Sequence, residues 1–122
     1  MADVLVVDDD EVIRETLCEL LSGEYTCQTA DTAEQALAKL EAQSFDVVLT
    51  DITMPGLSGM TLLNRVLKLY PGTPVIVISG LTDEEQARRL IELGAFDYLL
   101  KPFRLEVVED SVHRAISRAV NS

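Results

Sequence analysis

Apolar residues recur along the chain with two periodicities. Runs of four to six, near residues 4–7, 25–29, 46–50, 74–79 and 96–100, have the length of strands, and stretches with apolar residues at helical spacing lie between and after them. The pattern predicts a strand followed by a helix, five times over. In the first helix Ile13, Leu17, Leu20 and Leu21 share a face and Gly23 is placed at the C-terminal cap. In the second, Asp31 and Glu34 open a stripe of Ala33, Ala36, Leu37 and Leu40. The third starts near Ser58, after the turn-forming Pro55-Gly56-Leu57, carries Leu62, Leu63, Val66 and Leu67, and stops before Pro71-Gly72. The fourth has a capping box in Thr82 and Glu85 and a stripe of Ala87, Leu90 and Ile91 that ends at Gly94. The fifth runs from about Phe103 with Leu105, Val108, Val112, Ala115, Ile116 and Ala119 at helical spacing.

Strands that alternate with helices imply parallel strands, right-handed crossovers and helices on both faces of one sheet. The common solution for five such units is an α/β, flavodoxin-like, doubly wound (βα)5 fold with a five-stranded parallel sheet in the order 2-1-3-4-5. Its ligands sit beyond the carboxyl ends of the strands, near the switch point. No linker or solenoid repeat interrupts the series, so residues 1–122 read as one domain.

Charge narrows the partners. The 21 acidic against 10 basic residues give a formal charge of -11, which argues against direct binding to nucleic acid phosphates and favours basic partners. No apolar run approaches a membrane span, and the N-terminus lacks the basic and apolar regions of a secretory signal, so the expectation is a cytoplasmic protein. Cys18 and Cys27 lie among apolar neighbours and belong to no CxxC or Cys/His cluster. In a cytosolic chain they read as small buried hydrophobes rather than as a disulfide or a zinc site.

The candidate chemistry lies at the strand ends. Val4-Leu5-Val6-Val7 feeds Asp8-Asp9-Asp10, and Val47-Val48-Leu49-Thr50 feeds Asp51. In the order 2-1-3-4-5 the first and third strands adjoin, so these carboxylates crowd one sheet edge. Two of them about 4 Å apart repel by roughly 4 kcal/mol at an effective dielectric of 20, and such a cluster needs a cation. Asp10 and Glu11 read as helix-start residues that complement the helix dipole, not as ligands. Ser79 closes Val75-Ile76-Val77-Ile78, and Lys101 closes Tyr98-Leu99-Leu100, so the neighbouring strand ends add a hydroxyl and a cation.

Through Val7-Asp8-Asp9-Asp10, Asp51-Ile52-Thr53-Met54-Pro55-Gly56-Leu57-Ser58-Gly59, Ile78-Ser79-Gly80 and Lys101-Pro102-Phe103, the chain resembles the receiver domains of two-component response regulators over essentially its whole length. The resemblance implies a magnesium ion, with manganese as an alternative, held directly by Asp9 and Asp51, by Asp8 mainly through water and by the backbone carbonyl of Thr53. Hard oxygen ligands with retained waters fit magnesium. It makes Asp51 the nucleophile that accepts a phosphoryl group from a phosphohistidine on a sensor histidine kinase or histidine phosphotransfer protein. Lys101 and Ser79 then become the groups that meet the phosphoryl oxygens. Tyr98 stands where the family carries an aromatic switch residue, implying a two-state rearrangement of the fourth helix, fifth strand and fifth helix that controls an output domain or target protein, or a homodimer. Lys101-Pro102 is a candidate cis bond by the same resemblance. Leu81, apolar at a position that in this family tunes loss of the phosphoryl group, implies slow self-dephosphorylation. His113, the only histidine, reads as a surface residue of the last helix.

Three rivals are weaker. A phosphohydrolase with an aspartyl-phosphate intermediate usually carries a second aspartate two residues after the nucleophile, where this chain has Thr53, so turnover as an enzyme is not expected. A flavodoxin-like cofactor binder needs a hydroxyl- or glycine-rich phosphate cradle, whereas Asp8-Asp9-Asp10-Glu11 would repel a phosphate. A receiver that acts as a phosphorylation-independent interaction module usually lacks a pocket residue, and here none is missing. No output module is visible after Ser122, and the last helix runs to Ala119 without a strong stop, which favours a receiver cut from a longer regulator over a stand-alone protein.

Overall fold

The computed structural model describes residues 1–52, 59–80 and 84–121, with side chains described as far as Arg118. The elements run β1 (Asp3–Val7), α1 (Glu11–Leu21), β2 (Thr26–Ala30), α2 (Ala33–Ala42), β3 (Val47–Asp51), α3 (Gly59–Leu69), β4 (Val75–Ser79), α4 (Glu84–Leu93), β5 (Asp97–Leu100) and α5 (Leu105–Asn121). All pairings are parallel, as the alternation predicts, and the sheet order is β2-β1-β3-β4-β5, the common solution for such a chain.

The central strands are apolar at nearly every position because helices cover both of their faces. Alternation then sorts the side chains into two cores. Leu5, Val7, Val48, Val75 and Val77 face α2, α3 and α4, where Ala33, Ala36, Leu40, Leu62, Leu63, Val66 and Leu90 meet them. Val4, Val6, Val47, Leu49, Ile76 and Ile78 face α1 and α5, where Leu17, Leu21, Val108, Val112 and Ala115 meet them. Each fully buried aliphatic side chain contributes about 1.5–3 kcal/mol of transfer free energy. The sheet therefore forms a rigid platform for the loops at its carboxyl edge.

Several local expectations shift. The capping device of α2 lies one position later than Asp31 and Glu34: Thr32 Oγ1 accepts from the Gln35 N–H at 3.1 Å, and Gln35 Oε1 accepts from the Asp31 N–H at 3.1 Å. Gly23 is not the cap of α1, which ends at Ser22 in right-handed helical conformation. Gly94 does terminate α4, with φ of 126°, and a Cβ there would press on Leu67. Ile91 and Leu105, in phase with the apolar residues of α4 and α5, are nonetheless 44% and 42% exposed, because the buried stripes are narrower than the run of apolar residues. The first helical residue of α5 is Leu105 rather than Phe103. Pro55-Gly56-Leu57, Ser58 and Thr82 lie outside the described residues, as does the Ala119 side chain.

The largest correction concerns the cysteines. Cys18 and Cys27 are half-buried and joined in a disulfide, with Cα atoms 5.6 Å apart and a sequence separation of nine. The turn after α1 folds β2 back along the last helical turn, so two residues with no recognisable motif spacing face each other. The bond ties α1 to the edge strand. Among the described residues no helix is long and apolar enough to cross a membrane.

Candidate functional site

The carboxyl ends of β1, β3, β4 and β5 converge. Asp8 follows β1 directly and is 1% exposed; Asp51 is the last residue of β3 and is 6% exposed. The β1–β3 register, Val7 opposite Thr50, sets Asp8 beside Asp51. One carboxylate oxygen from each of Asp8, Asp9 and Asp51 lies within 4.8 Å of the other two. Asp9 is exposed at the mouth of this cluster.

Lys101, just past β5, closes the cluster from the other side. Its Nζ donates to Asp8 Oδ2 and to Asp51 Oδ2, each at 3.0 Å. The Lys101 N–H also donates to the Ser79 carbonyl at 2.8 Å, which fastens the end of β5 to the end of β4. The Lys101-Pro102 bond is cis. Ser79 is fully buried and follows Ile78, whose register partner is Asp51, so its hydroxyl belongs to the same strand edge. Tyr98, half-buried, pairs with Val77 and packs against the core on the α2–α4 side, the face that Ser79 shares with Val77 by alternation.

Electrostatics follow from this crowding. Burial raises the Asp8 carboxyl above its ordinary value of 3.8, and the nearby Asp51 adds to the rise. The Asp10 N–H and the Lys101 ammonium offset only part of it. For Lys101, burial alone would lower the ammonium, but its hydrogen bonds to Asp51 and Asp8 outweigh that and hold it above 10.5. The lysine stays protonated through neutral pH, and its ammonium is bonded to two of the three clustered carboxylates. The donor set, all hard carboxylate oxygens around a space small enough for one ion, fits magnesium.

Of the residues singled out from sequence, the fold brings together Asp8, Asp9, Asp51 and Lys101, places Ser79 at the adjoining strand end and sets Tyr98 one strand away. Thr53 and Leu81 lie outside the described residues. Asp10 is the N-cap of α1, its side chain accepting from the Val12 N–H at 2.9 Å, and Glu11 opens the first turn, as expected of helix-start residues. His113 is exposed on α5.

Two residues at the site are given no role by the patterns above, although Gly59 closes the stretch that begins at Asp51. Gly59 opens α3 against the end of β3: its N–H donates to the Ile52 carbonyl at 3.2 Å, and a Cβ there would overlap the Asp51 carbonyl and stand 2.5 Å from Ile52 Cα. Only glycine allows α3 to start that close to the strand bearing Asp51. Arg14, on the first turn of α1, donates from Nη1 to the Asp8 carbonyl at 2.8 Å.

Known proteins share this arrangement. Residues 4–113 match the response regulator receiver domain family. The chain is 42% identical over 115 residues to the DNA-binding transcriptional regulator NtrC of Salmonella typhimurium, a match covering 93% of this chain and 24% of that protein. It is 38% identical over 114 residues to the response regulator protein FleR of Pseudomonas aeruginosa, covering 93% of this chain and 24% of FleR. The chain thus spans about a quarter of the length of these curated relatives. Among solved structures, a response regulator receiver domain protein from Clostridium thermocellum superposes with a TM-score of 0.90 at 34% identity, covering 97% of this chain and 96% of that one. The receiver domain of NtrX from Brucella abortus does so with a TM-score of 0.89 at 36% identity, covering 94% and 98%. With the fold, the strand-end cluster and the match over residues 4–113 in agreement, the chain belongs to the response regulator receiver domain family.

Proposed function

We propose that residues 1–122 act as a phosphoacceptor receiver domain: Asp51 takes a phosphoryl group from the phosphohistidine of a sensor histidine kinase or histidine phosphotransfer protein, in a magnesium-dependent reaction. The observation that carries this reading is the Lys101 ammonium 3.0 Å from both Asp51 and Asp8, beside a third carboxylate within 4.8 Å. A lysine holding two buried acids in this way leaves one of them, Asp51, as a nucleophile with a cation already beside its attacking oxygen.

In the transfer an Asp51 carboxylate oxygen attacks phosphorus while the phosphorus–nitrogen bond to the donor imidazole breaks. The bonding pair leaves with that nitrogen, which takes a proton, and Asp51 becomes an acyl phosphate. Lys101 meets the negative charge that accumulates on the phosphoryl oxygens, and the Ser79 hydroxyl donates to one of them. Asp9 and Asp51 hold magnesium directly, Asp8 mainly through water, and the Thr53 carbonyl completes the protein ligands; manganese is the alternative ion. The bound ion supplies positive charge against both the carboxylates and the transferring group.

Phosphorylation at Asp51 then draws on the link between β4 and β5. Ser79 turns toward the phosphoryl group, Tyr98 on the same sheet face moves inward, and the surface of α4, β5 and α5 changes between two states. The relatives this chain matches are about four times its length, so the proposed readout is an attached output domain or a target protein, with a phosphorylation-linked homodimer as one form of it. The domain is a switch rather than an enzyme that turns over substrate.

The test is intact-protein mass spectrometry after incubation with acetyl phosphate, comparing magnesium with chelator and wild type with Asp51→Asn. A single phosphoryl gain that requires both magnesium and Asp51 supports the reading. No gain by a protein that binds magnesium overturns it in favour of a phosphorylation-independent interaction module.

A further inference from the structure

Asp8 is held at all four of its polar groups. Its N–H donates to the Ala30 carbonyl at 3.2 Å, its Oδ1 accepts from the Asp10 N–H at 2.9 Å, its Oδ2 accepts from Lys101 at 3.0 Å, and its carbonyl accepts from Arg14 Nη1 at 2.8 Å. Three of these partners come from the strand ends or the turn itself. The fourth is a long side chain reaching back from six positions later, and it meets a carbonyl on a residue that is only 1% exposed. A buried carbonyl without a donor is costly, and a strand-ending residue beyond its ladder has no automatic partner.

The consequence is geometric. The peptide group that Arg14 holds joins Asp8 to Asp9, so the guanidinium fixes the orientation of the link between two of the three clustered carboxylates. Arg14 is itself steady: it is half-buried, its N–H donates to the Asp10 carbonyl at 3.1 Å in the first turn of α1, and the other end of α1 is tied to β2 through Cys18 and Cys27. We infer that Arg14 is a positioning residue for the phosphoacceptor site, setting the Asp8-Asp9 peptide so that both carboxylates face Asp51 before a cation arrives. This rests on the receiver reading above and adds to it a residue that touches neither the ion nor the phosphoryl group.

Residues that orient metal ligands from behind typically alter affinity by about 10–100-fold when removed. Arg14→Met keeps the apolar stem and deletes the donors, and Arg14→Lys restores a charge and an N–H donor, which suffices for a single carbonyl. The experiment measures magnesium affinity by calorimetry, thermal unfolding in chelator and in magnesium, and the rate of phosphoryl gain from acetyl phosphate across magnesium concentrations. Expected for Arg14→Met is magnesium affinity about tenfold weaker and a smaller magnesium-induced rise in the unfolding midpoint. Its phosphorylation rate should approach that of wild type at saturating magnesium. Arg14→Lys is expected within about threefold of wild type on each measure, since its ammonium still offers an N–H to the carbonyl. A residue that only anchors α1 would lower both midpoints equally and leave the magnesium affinity unchanged.

Arg14→Met that matches wild type in magnesium affinity and in the magnesium-induced rise overturns the assignment. Should that variant not fold, Arg14→Ala, which likewise has no donor, takes its place, and equality with wild type in magnesium affinity has the same force. Wild type that binds magnesium yet gains no phosphoryl group defeats the phosphoacceptor reading alone and leaves the Arg14 result standing.

Discussion

Lys101 and Asp8 are 93 positions apart in the chain and 3.0 Å apart in the fold, and the same Lys101 nitrogen reaches Asp51 at 3.0 Å. This single cation balances two carboxylates that are almost wholly withdrawn from water. Asp8 and Asp51 therefore depend on Lys101, or on an added cation, for charge compensation.

Replacing Lys101 with Met should cost the metal-free protein about 3 kcal/mol, since it removes the ammonium that two buried carboxylates share. Added magnesium should recover most of this, so the magnesium-induced rise in the unfolding midpoint should be larger in Lys101→Met than in wild type. Phosphoryl gain from acetyl phosphate should fall by about 10²–10³, the usual loss when one charge-stabilising donor is removed. Scanning calorimetry and intact-mass kinetics read the two effects separately.

The raised Asp8 carboxyl gives the metal-free fold a definite pH dependence. A carboxyl whose folded value lies above its unfolded one favours the fold while protonated, and that contribution is lost as pH rises through the folded value. The sign predicts that the metal-free protein loses stability from this group as pH climbs above about 4, and that Asp8→Asn removes this loss and raises the unfolding midpoint at pH 7. The same substitution should weaken magnesium binding, and in wild type magnesium affinity should decline on acidification from above the ordinary carboxylate range. Denaturation curves against pH in chelator, with calorimetric titrations at matched pH, check both statements.

Lys101 carries the opposite constraint at the other end of the scale. Its folded value is held above 10.5, so its contribution to stability is complete below that pH and is lost as pH rises beyond the folded value. The stability lost on going alkaline should therefore be smaller in Asp8→Asn, where one of the two partners that raise the lysine is gone. Circular dichroism above pH 10 is the appropriate measurement.

Gly59→Ala should be among the most damaging small substitutions in the chain. The added methyl meets the Asp51 carbonyl and Ile52 Cα, which are backbone atoms and cannot rotate away. Overpacking of this kind costs about 1–3 kcal/mol, and the upper end is expected here. Because the displaced backbone carries Asp51, magnesium affinity should fall as well. Gly72→Ala is the control, since nothing lies within 4 Å of a Cβ there.

Reduction of the Cys18–Cys27 bond opens a loop whose ends are nine positions apart. Chain-entropy arguments give about 2.5 kcal/mol for a loop of this size. The unfolding midpoint should drop by several degrees in a strong reductant, and Cys18→Ser with Cys27→Ser should show the lower midpoint with no further response. Thiol titration under denaturing conditions before and after reduction checks that two thiols are released.

The parallel sheet covered on both faces and most of the buried side chains were legible in the alternation of apolar strands with amphipathic helices, whereas the order β2-β1-β3-β4-β5 is the common solution for such a chain and is not written in the pattern. A parallel sheet covered on both faces requires continuous apolar runs, and few other folds produce five of them in alternation with helices. Asp8, Asp9, Asp51, Ser79 and Lys101 were legible too, because each ends a strand and the strand order gathers those ends. What local pattern misjudged was extent: Ile91 and Leu105 are apolar and in phase, yet the width of the buried stripe is set by the neighbouring elements, not by the helix itself.

The sequence by itself determined the elements, their order and the acidic, hydroxyl and ammonium groups at the strand ends, since periodicity and residue type depend only on near neighbours in the chain. The tertiary structure decided what depends on distance between remote residues. It alone paired Cys18 with Cys27, turned Arg14 back to the Asp8 carbonyl, required glycine at position 59, and set one Lys101 nitrogen between two aspartates. Each of these is a contact across a turn or between elements, where a few tenths of an ångström separate a hydrogen bond from a clash and no local periodicity carries the information.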